Sequence, residues 1–348
     1  MYVYIFILLI FFFLSIINLD YRRSYQSRKM FLFCSLFLSF FAALRFDVGM
    51  DYMSYRSIYT EIDGFSYKNQ ELGFVMIIYV MKLFHLPYSF FVFVMSVSTV
   101  YFACKYIKQY SSLLFLSLLI FISVGQFYFN TFNAIRQSIV IFLFLANLNL
   151  IKQQNFMKYL LLIMFCFFCF HKTALILLPM YFILNRKYNL KTKLILLVAV
   201  LLNSKIFLVL IQNSPYAVYL KMEDFASGVS LNTYFIGIIS IACLILEHVD
   251  TRTTGIDPIL FNLNYLSLLL VLLCIQFSGT PLIMVFNRIS YYFSPIMIVL
   301  IPMLINLSKV NKKILLCCFS IIFLFLGLFS ICLNGVTNHI VPYKTILF

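Results

Sequence analysis

The polar residues that could carry chemistry are few and fall in short stretches of a very apolar chain. The 348-residue sequence is 64% hydrophobic and 11% charged, yet Arg45, Asp47 and Asp51 lie within seven residues of one another. Arginine forms bidentate bonds to phosphate and stays charged at every accessible pH. A carboxylate can accept a proton from an attacking hydroxyl. This stretch therefore indicates a site for an anionic substrate with acid–base chemistry beside it.

Comparable polar groups recur far along the chain at the ends of apolar runs. They are Arg136, the pair His171 and Lys172, Arg288 and Lys344. A charge near hydrocarbon costs a few kcal/mol, so it is retained mostly where it lines a cavity or contacts a ligand. Two or three arginines facing one cavity suit the pyrophosphate of a lipid-linked substrate, and a nearby carboxylate or histidine could accept a proton.

Structural explanations compete with this interpretation at each position. Arg136 or Arg288 alone could be a snorkelling residue at the membrane interface. His171 could be a hydrogen-bonded histidine at a helix end, and Asp47 could pair with a neighbouring arginine. The residue types alone leave these alternatives open.

The apolar runs that must position these residues are typical of a polytopic membrane protein. A helix needs about 20 apolar residues to cross a hydrocarbon core about 30 Å thick, and such runs recur from end to end. We predict an all-α bundle of about 12 transmembrane spans that forms a single integral membrane domain, residues 1–348. The predicted spans are 2–18, 30–44, 88–104, 112–128, 134–151, 158–171, 172–185, 194–211, 232–247, 258–277, 289–307 and 314–333.

The distribution of charge predicts the side of the membrane that each loop faces. The loops predicted to be cytoplasmic and their edges hold 16 of the 26 Lys and Arg residues, whereas seven of the 11 acidic residues fall in outer loops. This asymmetry follows the positive-inside rule. Topology therefore accounts for the net charge of +15, and no nucleic-acid partner is expected. The predicted cytoplasmic loops are 20–29, 105–111, 152–157, 186–193, 248–257 and 308–313.

Two extracytoplasmic loops are predicted, at 45–87 and 212–231. The apolar segment 71–85 within the first is too short for a crossing, so we predict an interfacial or half-inserted helix there. The segment 158–185 offers only 28 residues for two crossings. Its turn at 170–173 is expected to lie below the outer surface, in a cavity or thinned membrane; two tilted short spans with a surface turn are the alternative.

The order of these polar stretches matches a series of family motifs. The matching residues are Arg45, Gly49, Asp51 and Tyr55; Glu71, Gly73 and Phe74; Ile135, Arg136 and Gln137; His171, Thr173, Ala174 and Leu175; Arg288, Tyr292 and Phe293; and Pro342, Tyr343 and Lys344. The series resembles that of the EpsG/Wzy family of bacterial polysaccharide polymerases, which are GT-C-like membrane glycosyltransferases. The family usually has threonine where this chain has Met50, but the glycine and the carboxylate on either side are kept.

The resemblance implies an activity and a role for each residue. It implies polymerisation of undecaprenyl-pyrophosphate-linked oligosaccharide repeat units at the outer face of the bacterial inner membrane, which forms the glycosidic bonds of O-antigen, capsule or exopolysaccharide. The residues implied to bind the donor pyrophosphate are Arg136, Arg288 and Arg45. Those implied to orient or deprotonate the acceptor hydroxyl are Asp51, Glu71 or His171. Supporting roles are implied for Gly49, Tyr55, Gln137, Tyr292 and Lys344.

No cofactor or metal is expected. The sequence has no Gly-rich phosphate loop, no His-Glu-x-x-His and no Asp-x-Asp motif, and cationic side chains can supply the electrostatic stabilisation.

A flippase and a chain-length regulator of the same pathway are the expected partners. A flippase or transporter of the same lipid-linked oligosaccharides is one rival function, and it should show polar groups on both sides of a central cavity. A glycan ligase or acyltransferase is the other, and only the order of the motifs separates it from a polymerase.

Overall fold

The structure, a computed structural model, describes residues 1–17, 25–64, 70–213, 217–220, 228–249 and 255–347. Within these ranges the regular structure is helical, and the only extended pairing is an isolated antiparallel bridge between Arg45 and Thr345. The prediction of an all-α polytopic fold is confirmed. In chain order the helices are α1 (Tyr2–Ile17), α2 (Tyr25–Ala43), α3 (Tyr52–Glu61), α4 (Leu72–Leu83), α5 (Tyr88–Tyr110), α6 (Leu114–Ser123), α7 (Asn130–Asn133), α8 (Ile135–Leu145), α9 (Asn149–Lys152), α10 (Phe156–Cys169), α11 (Met180–Leu184), α12 (Leu190–Leu202), α13 (Lys205–Gln212), α14 (Ala217–Leu220), α15 (Leu231–Val249), α16 (Pro258–Gln276), α17 (Leu282–Ser290), α18 (Met297–Leu307) and α19 (Lys312–Asn334).

The chain divides into two compact units. The first contains Met1–Tyr181 and Ile301–Phe348, and the second contains Phe182–Leu300. Each unit has its own apolar helices. The single membrane domain expected over residues 1–348 stays a prediction.

Among the described residues, six helical segments are long and apolar enough to cross a membrane. The segments are Tyr88–Tyr110, Ile135–Lys152, Leu231–Val249, Pro258–Gln276, Leu282–Leu307 and Lys312–Leu333. Other predicted spans are shorter or interrupted: α12 ends at Leu202, and the amide of Asn203 donates to the carbonyl of Ala199. Such side-chain bonding to the backbone competes with continuation of a helix. The count of about 12 crossings stays a prediction.

Helices α2 and α5 form an antiparallel pair that carries the loop predicted at 45–87. At one end of the pair, Arg45 donates to Ser96 Oγ over 2.6 Å. The loop between the helices returns to this end, because Tyr88 donates its hydroxyl to the carbonyl of Tyr52 over 2.9 Å. Helices α3 and α4 therefore lie together at the same end of the first unit.

The segment predicted to be interfacial folds as α4, a helix of 12 residues. Near its C-terminus, the Lys82 ammonium donates to the carbonyl of Ile62, the residue that follows α3. Near its N-terminus, Phe74 packs edge-on against Tyr55 of α3, with ring centroids 6.3 Å apart. Both ends of α4 thus contact α3, which is itself only ten residues long. The position of α4 relative to a membrane stays a prediction.

Residues 156–181 form a helical hairpin. Helix α10 spans 14 residues, about 21 Å at 1.5 Å per residue, and a 3-10 turn at Lys172–Leu177 begins the return limb. The Tyr159 hydroxyl donates to the carbonyl of Leu177, and the rings of Phe156 and Tyr181 meet at 5.0 Å. The hairpin bend lies at His171, whose backbone is extended.

Close packing of small residues joins α1 to α19. A Cβ atom at Gly327 would lie 2.9 Å from the side chain of Leu8, and the hydroxyls of Ser15 and Ser320 lie 2.8 Å apart. Small residues let apolar helices approach closely, which is how helices associate when lipid is the solvent.

The second unit is built around α15 and α16. Its α12 carries a buried cation, Lys193, which donates to both carboxylate oxygens of Glu247 at 2.7 and 2.6 Å. In α16, Asn264 donates to the carbonyl of Ser240 in α15. Half of the predicted outer loop 212–231 lies outside the described residues; the described parts are residues 212–213, the short α14 and residues 228–231.

Candidate functional site

Glu71 is the residue at which three predicted motif stretches meet. It precedes α4 and is only 7% exposed. One carboxylate oxygen accepts from Arg136 Nη1, and the other accepts from the backbone N–H of Lys172 over 3.1 Å. His171 Nδ1 lies 3.8 Å from that second oxygen, which is too far for a hydrogen bond but close enough for an ion pair whenever the imidazole is protonated.

The hairpin bend explains why a backbone N–H is available to Glu71. The first N–H groups of a helix have no partner within the helix, and Lys172 is the first residue of the 3-10 turn. A carboxylate is favoured at such a terminus because the helix dipole is positive there. Glu71 therefore caps an element about one hundred residues away rather than its own helix, where it makes no side-chain cap bond.

Gly73 brings Glu71 and the hairpin together. A Cβ atom at this position would lie 2.6 Å from both the Cα and the Sγ of Cys169, at the end of α10. Only a residue without a side chain permits this approach of two backbones. The spacing Glu71-x-Gly73 thus sets the carboxylate beside His171.

Arg136 lies in the first turn of α8, held between a carboxylate and two aromatic rings. Its guanidinium carbon lies 4.9 Å from the ring centroid of Phe74 and 5.8 Å from that of Tyr55. A cation at a helix N-terminus is disfavoured by the dipole, and the ion pair with Glu71 offsets that repulsion. Burial raises the pKa of Tyr55, although the Arg136 charge opposes the increase.

The turn at Gly49 carries Asp51 toward the start of α8. Gly49 has a φ of +107°, and a Cβ atom there would lie 2.7 Å from the carbonyl oxygen of Phe132. The next N–H, that of Met50, donates to Asn133 Oδ1 over 2.7 Å. Asp51 then precedes α3, half-buried and without a side-chain cap bond to that helix. Asn133 is therefore a positioning residue, and it is not among the residues predicted from the sequence. The feature that could have indicated it is a polar side chain three residues before Arg136.

Arg45 lies in the protein interior, with 1% of its surface exposed. Its Nη1 donates to the carbonyl of Ala42 and to Ser96 Oγ, and its guanidinium stacks 4.8 Å from the ring centroid of Phe132. Burial lowers the pKa of Arg45, and the surrounding tyrosine hydroxyls oppose the decrease. In this conformation Arg45 offers no surface to a substrate, and its predicted role as a pyrophosphate ligand remains untested.

The C-terminal tail closes over the end of α2. The N–H of Phe46 donates to the carbonyl of Lys344 over 2.9 Å, and the Lys344 ammonium lies 2.9 Å from Asp47 Oδ2. Tyr343 stacks on Phe41 at 4.3 Å. The predicted supporting residue Lys344 therefore pairs with a carboxylate of the loop that leads to Gly49.

Arg288 and Tyr292 belong to the second unit. Arg288 lies in the last turn of α17 and is exposed, whereas Tyr292 is fully buried. The sequence placed Arg288 at the head of a span beginning at 289, but the helix begins at Leu282 and is interrupted by a 3-10 turn at Ser294–Ile296. The break coincides with Pro295, which cannot donate a backbone hydrogen bond.

In the first unit, the structure therefore brings together Glu71, Arg136, His171 and Tyr55, with Gln137 buried one residue further along α8. We call the first three residues the Glu71 cluster. Within the described residues, no group of three or more His, Cys, Asp or Glu side chains is arranged to hold a metal ion. Metal independence stays a prediction.

The fold and the Glu71 cluster define a class of polytopic helical membrane proteins with a buried, charge-paired polar site. The EpsG family model matches residues 28–345, nearly the whole chain. The chain belongs to the EpsG family, a family of Wzy-like polysaccharide polymerases. This confirms the resemblance drawn from the motifs and supports a glycosyltransferase-like polymerase role. No curated protein and no solved structure matches the chain.

Proposed function

We propose that this protein polymerises undecaprenyl-pyrophosphate-linked oligosaccharide repeat units at the outer face of the bacterial inner membrane. The growing glycan is transferred from its lipid pyrophosphate to a hydroxyl at the non-reducing end of a new lipid-linked unit. One observation carries the proposal: three motif stretches of a polysaccharide-polymerase family meet at Glu71. A flippase and a chain-length regulator remain the partners we expect.

The reaction requires a base for the acceptor hydroxyl. A bond forms between that oxygen and the sugar carbon, the bond from this carbon to pyrophosphate breaks, and the hydroxyl proton must leave. His171 is the best candidate because its side chain is 22% exposed, whereas that of Glu71 is 7% exposed. Both oxygens of Glu71 already accept hydrogen bonds, so we assign it the orientation of Arg136 and His171.

The leaving pyrophosphate requires cations. Arg288 is exposed, and Arg136 keeps 18% of its side-chain surface accessible while it pairs with Glu71. We assign Arg136 to the donor pyrophosphate, where fixed positive charge stabilises the charge that develops on leaving. The same role for Arg288, in the second unit, stays a prediction. The burial of Arg45 favours a positioning role for it, in holding the start of the loop that contains Asp51.

Asp51 is retained as the alternative acceptor-side carboxylate. It is half-buried, and its charge acts on Tyr55, whose ring lies under Arg136. If Asp51 rather than His171 accepts the proton, the isosteric change Asp51→Asn will abolish polymerisation while His171→Asn only slows it.

The test is the length distribution of the glycan made by cells or membranes that carry single variants. We expect His171→Asn and Arg136→Lys to leave single repeat units on the lipid carrier while the protein remains inserted at normal levels. Removing an oriented base typically lowers the rate by about 10² to 10⁴-fold. Lysine keeps the positive charge of Arg136 but lacks the planar fork that binds phosphate and carboxylate through two hydrogen bonds. Long chains in both variants would refute the assignment.

The loop 45–87 offers a matched control for each of these variants. His85 is exposed and has a φ of +52°, which asparagine tolerates, so His85→Asn is the control for His171→Asn. Arg56 is exposed on α3, so Arg56→Lys is the control for Arg136→Lys. Both controls should yield chains of normal length. If the lipid-linked units instead fail to reach the outer face in the site variants, the protein acts as a flippase.

A further inference from the structure

A groove in the first unit runs between α2 and α5, and it opens at the end of this helix pair away from Arg45. Its volume is about 470 Å³, and it lies between residues 28–39 of α2 and residues 97–108 of α5. From Arg28 to Arg45 is 17 residues, about 25 Å along a helix, so the Arg28 end of the groove and the Glu71 cluster lie at opposite ends of the pair. Its lining residues are Arg28, Lys29, Phe31, Leu32, Ser35, Leu36, Ser39, Val97, Tyr101, Cys104, Lys105 and Lys108.

Four cations line one end of this groove. Arg28 and Lys29 lie near the N-terminus of α2, and Lys105 and Lys108 lie in the last two turns of α5. The described lining residues include no acidic side chain. Because the two helices are antiparallel, charges that are 76 or more residues apart in sequence are brought to a single mouth. Such a mouth is complementary to a phosphate group.

The rest of the groove is apolar. The hydroxyls of Ser35 and Ser39 donate to the carbonyls one turn earlier in α2, each over 2.8 Å. These two polar groups are therefore satisfied without water or a polar ligand. Leu36 is 49% and Tyr101 is 60% exposed, so the groove is open to a hydrocarbon chain along its length.

We propose that this groove binds an anionic glycerophospholipid, with the phosphate against the four cations and one acyl chain along the apolar floor. A volume of about 470 Å³ is within the ordinary range of ligand cavities. Basic pockets between transmembrane helices on the cytoplasmic side bind anionic lipid headgroups, and the predicted topology places this mouth on that side. The site is separate from the proposed polymerase reaction, so either assignment can fail without the other.

The proposal predicts that anionic lipid holds the ends of α2 and α5 together. We expect native mass spectrometry of the full chain to show one retained phosphatidylglycerol or cardiolipin adduct, and no adduct of phosphatidylcholine at equal concentration. The double variant Lys105→Gln/Lys108→Gln should bind phosphatidylglycerol about thirty-fold more weakly. The two removed lysines each contribute a similar share of the attraction to the anionic headgroup. Thermal stabilisation of the protein by phosphatidylglycerol should be lost in parallel.

Two further variants keep the test independent of folding. Leu36→Trp would fill the apolar floor without changing charge, and should also displace the lipid, whereas Phe33→Trp on another face of α2 should not. The charge control is Lys309→Gln/Lys313→Gln, at two exposed cations just before and at the start of α19. Equal adducts in the groove variants and their controls would overturn the proposal. Displacement of phosphatidylglycerol by equimolar undecaprenyl phosphate would also overturn it, because the groove would then be a prenyl-phosphate site.

Discussion

Gly73 and Cys169 are in backbone contact, and this contact sets the geometry of the Glu71 cluster. The position that a Cβ atom would take at Gly73 is 2.6 Å from the Cα of Cys169. Two residues earlier in the chain is Glu71, and two residues after Cys169 is His171. The carboxylate and the imidazole therefore meet because two helices from distant parts of the chain approach without an intervening side chain.

We expect Gly73→Ala to separate α4 from α10 and to abolish polymerisation. Overpacking of this kind costs about 1–3 kcal/mol, and the carboxylate would move away from the Lys172 N–H and His171. Glycan length and the melting temperature in detergent are the measurements. Adding Cys169→Ala should not restore function, because the Cα itself obstructs the new methyl group. The control is Gly255→Ala, where a Cβ meets no atom within 4 Å; full activity of Gly73→Ala would contradict the prediction.

Gly49→Ala should destabilise the protein more than Gly64→Ala does. Both glycines have a positive φ, +107° and +92°, so both variants carry backbone strain of about 1–2 kcal/mol. Only at Gly49 does the added methyl also meet backbone, the carbonyl of Phe132 at 2.7 Å, whereas Gly64 faces open space. Comparing the melting temperatures of the two variants separates the cost of backbone strain, which both carry, from the cost of the contact with Phe132, which only Gly49→Ala carries. Equal losses would mean that the contact with Phe132 is unimportant.

Arg45→Gln should lower stability even though Arg45 makes no salt bridge within the described residues. The change removes a buried hydrogen bond to Ser96 Oγ and the stacking on Phe132. We expect a loss of about 2–4 kcal/mol, and about 1–2 kcal/mol for Ser96→Ala, which removes one bond only. Arg56→Gln, at an exposed position, is the control. A stable Arg45→Gln variant that still lacks activity would instead favour direct contact with substrate.

Alkaline pH should loosen the C-terminal tail through Tyr343. Burial raises the pKa of this tyrosine from 10.0 to about 12, so the folded state favours the neutral phenol. Its contribution to stability is complete below pH 10 and is lost as the pH rises through about 12. The free energy of unfolding should be measured between about pH 9 and 12, a window that these two pKa values set. It should fall less steeply with pH in Tyr343→Phe than in the unchanged protein. An identical slope in both proteins would show that other groups govern the transition.

Lys344→Gln should change stability little. The pair with Asp47 is half-exposed, with 51% and 34% of the side chains accessible, and such pairs contribute about 0–1 kcal/mol. Removing residues 336–348 should cost considerably more, because the tail also supplies the backbone hydrogen bond to Phe46 and the ring that stacks on Phe41. Comparison of the two melting temperatures tests whether the tail acts through its backbone and ring or through its charge.

Much of the candidate site was predictable from sequence because polar residues are conspicuous in an apolar chain. Arg136, Glu71 and His171 were selected by residue type and motif order, and the structure places them together. Asn133 was not selected, since an amide next to an apolar run has many roles and only its contact with Met50 distinguishes one. The interior position of Arg45 was also not predicted, because hydropathy does not show whether a charged side chain at a helix end points into the protein or away from it.

The sequence alone determined the class of this protein and the set of residues worth testing. Runs of apolar residues require helices in lipid, because backbone groups must be satisfied within each segment, and family membership follows from the order of the motifs. Only the tertiary structure decided the pairings: Glu71 with Arg136, and Lys344 with Asp47. Apolar helix faces look alike in sequence, and their contacts depend on close packing such as that of Gly73 on Cys169. That packing cannot be deduced from the pattern of residues along one chain.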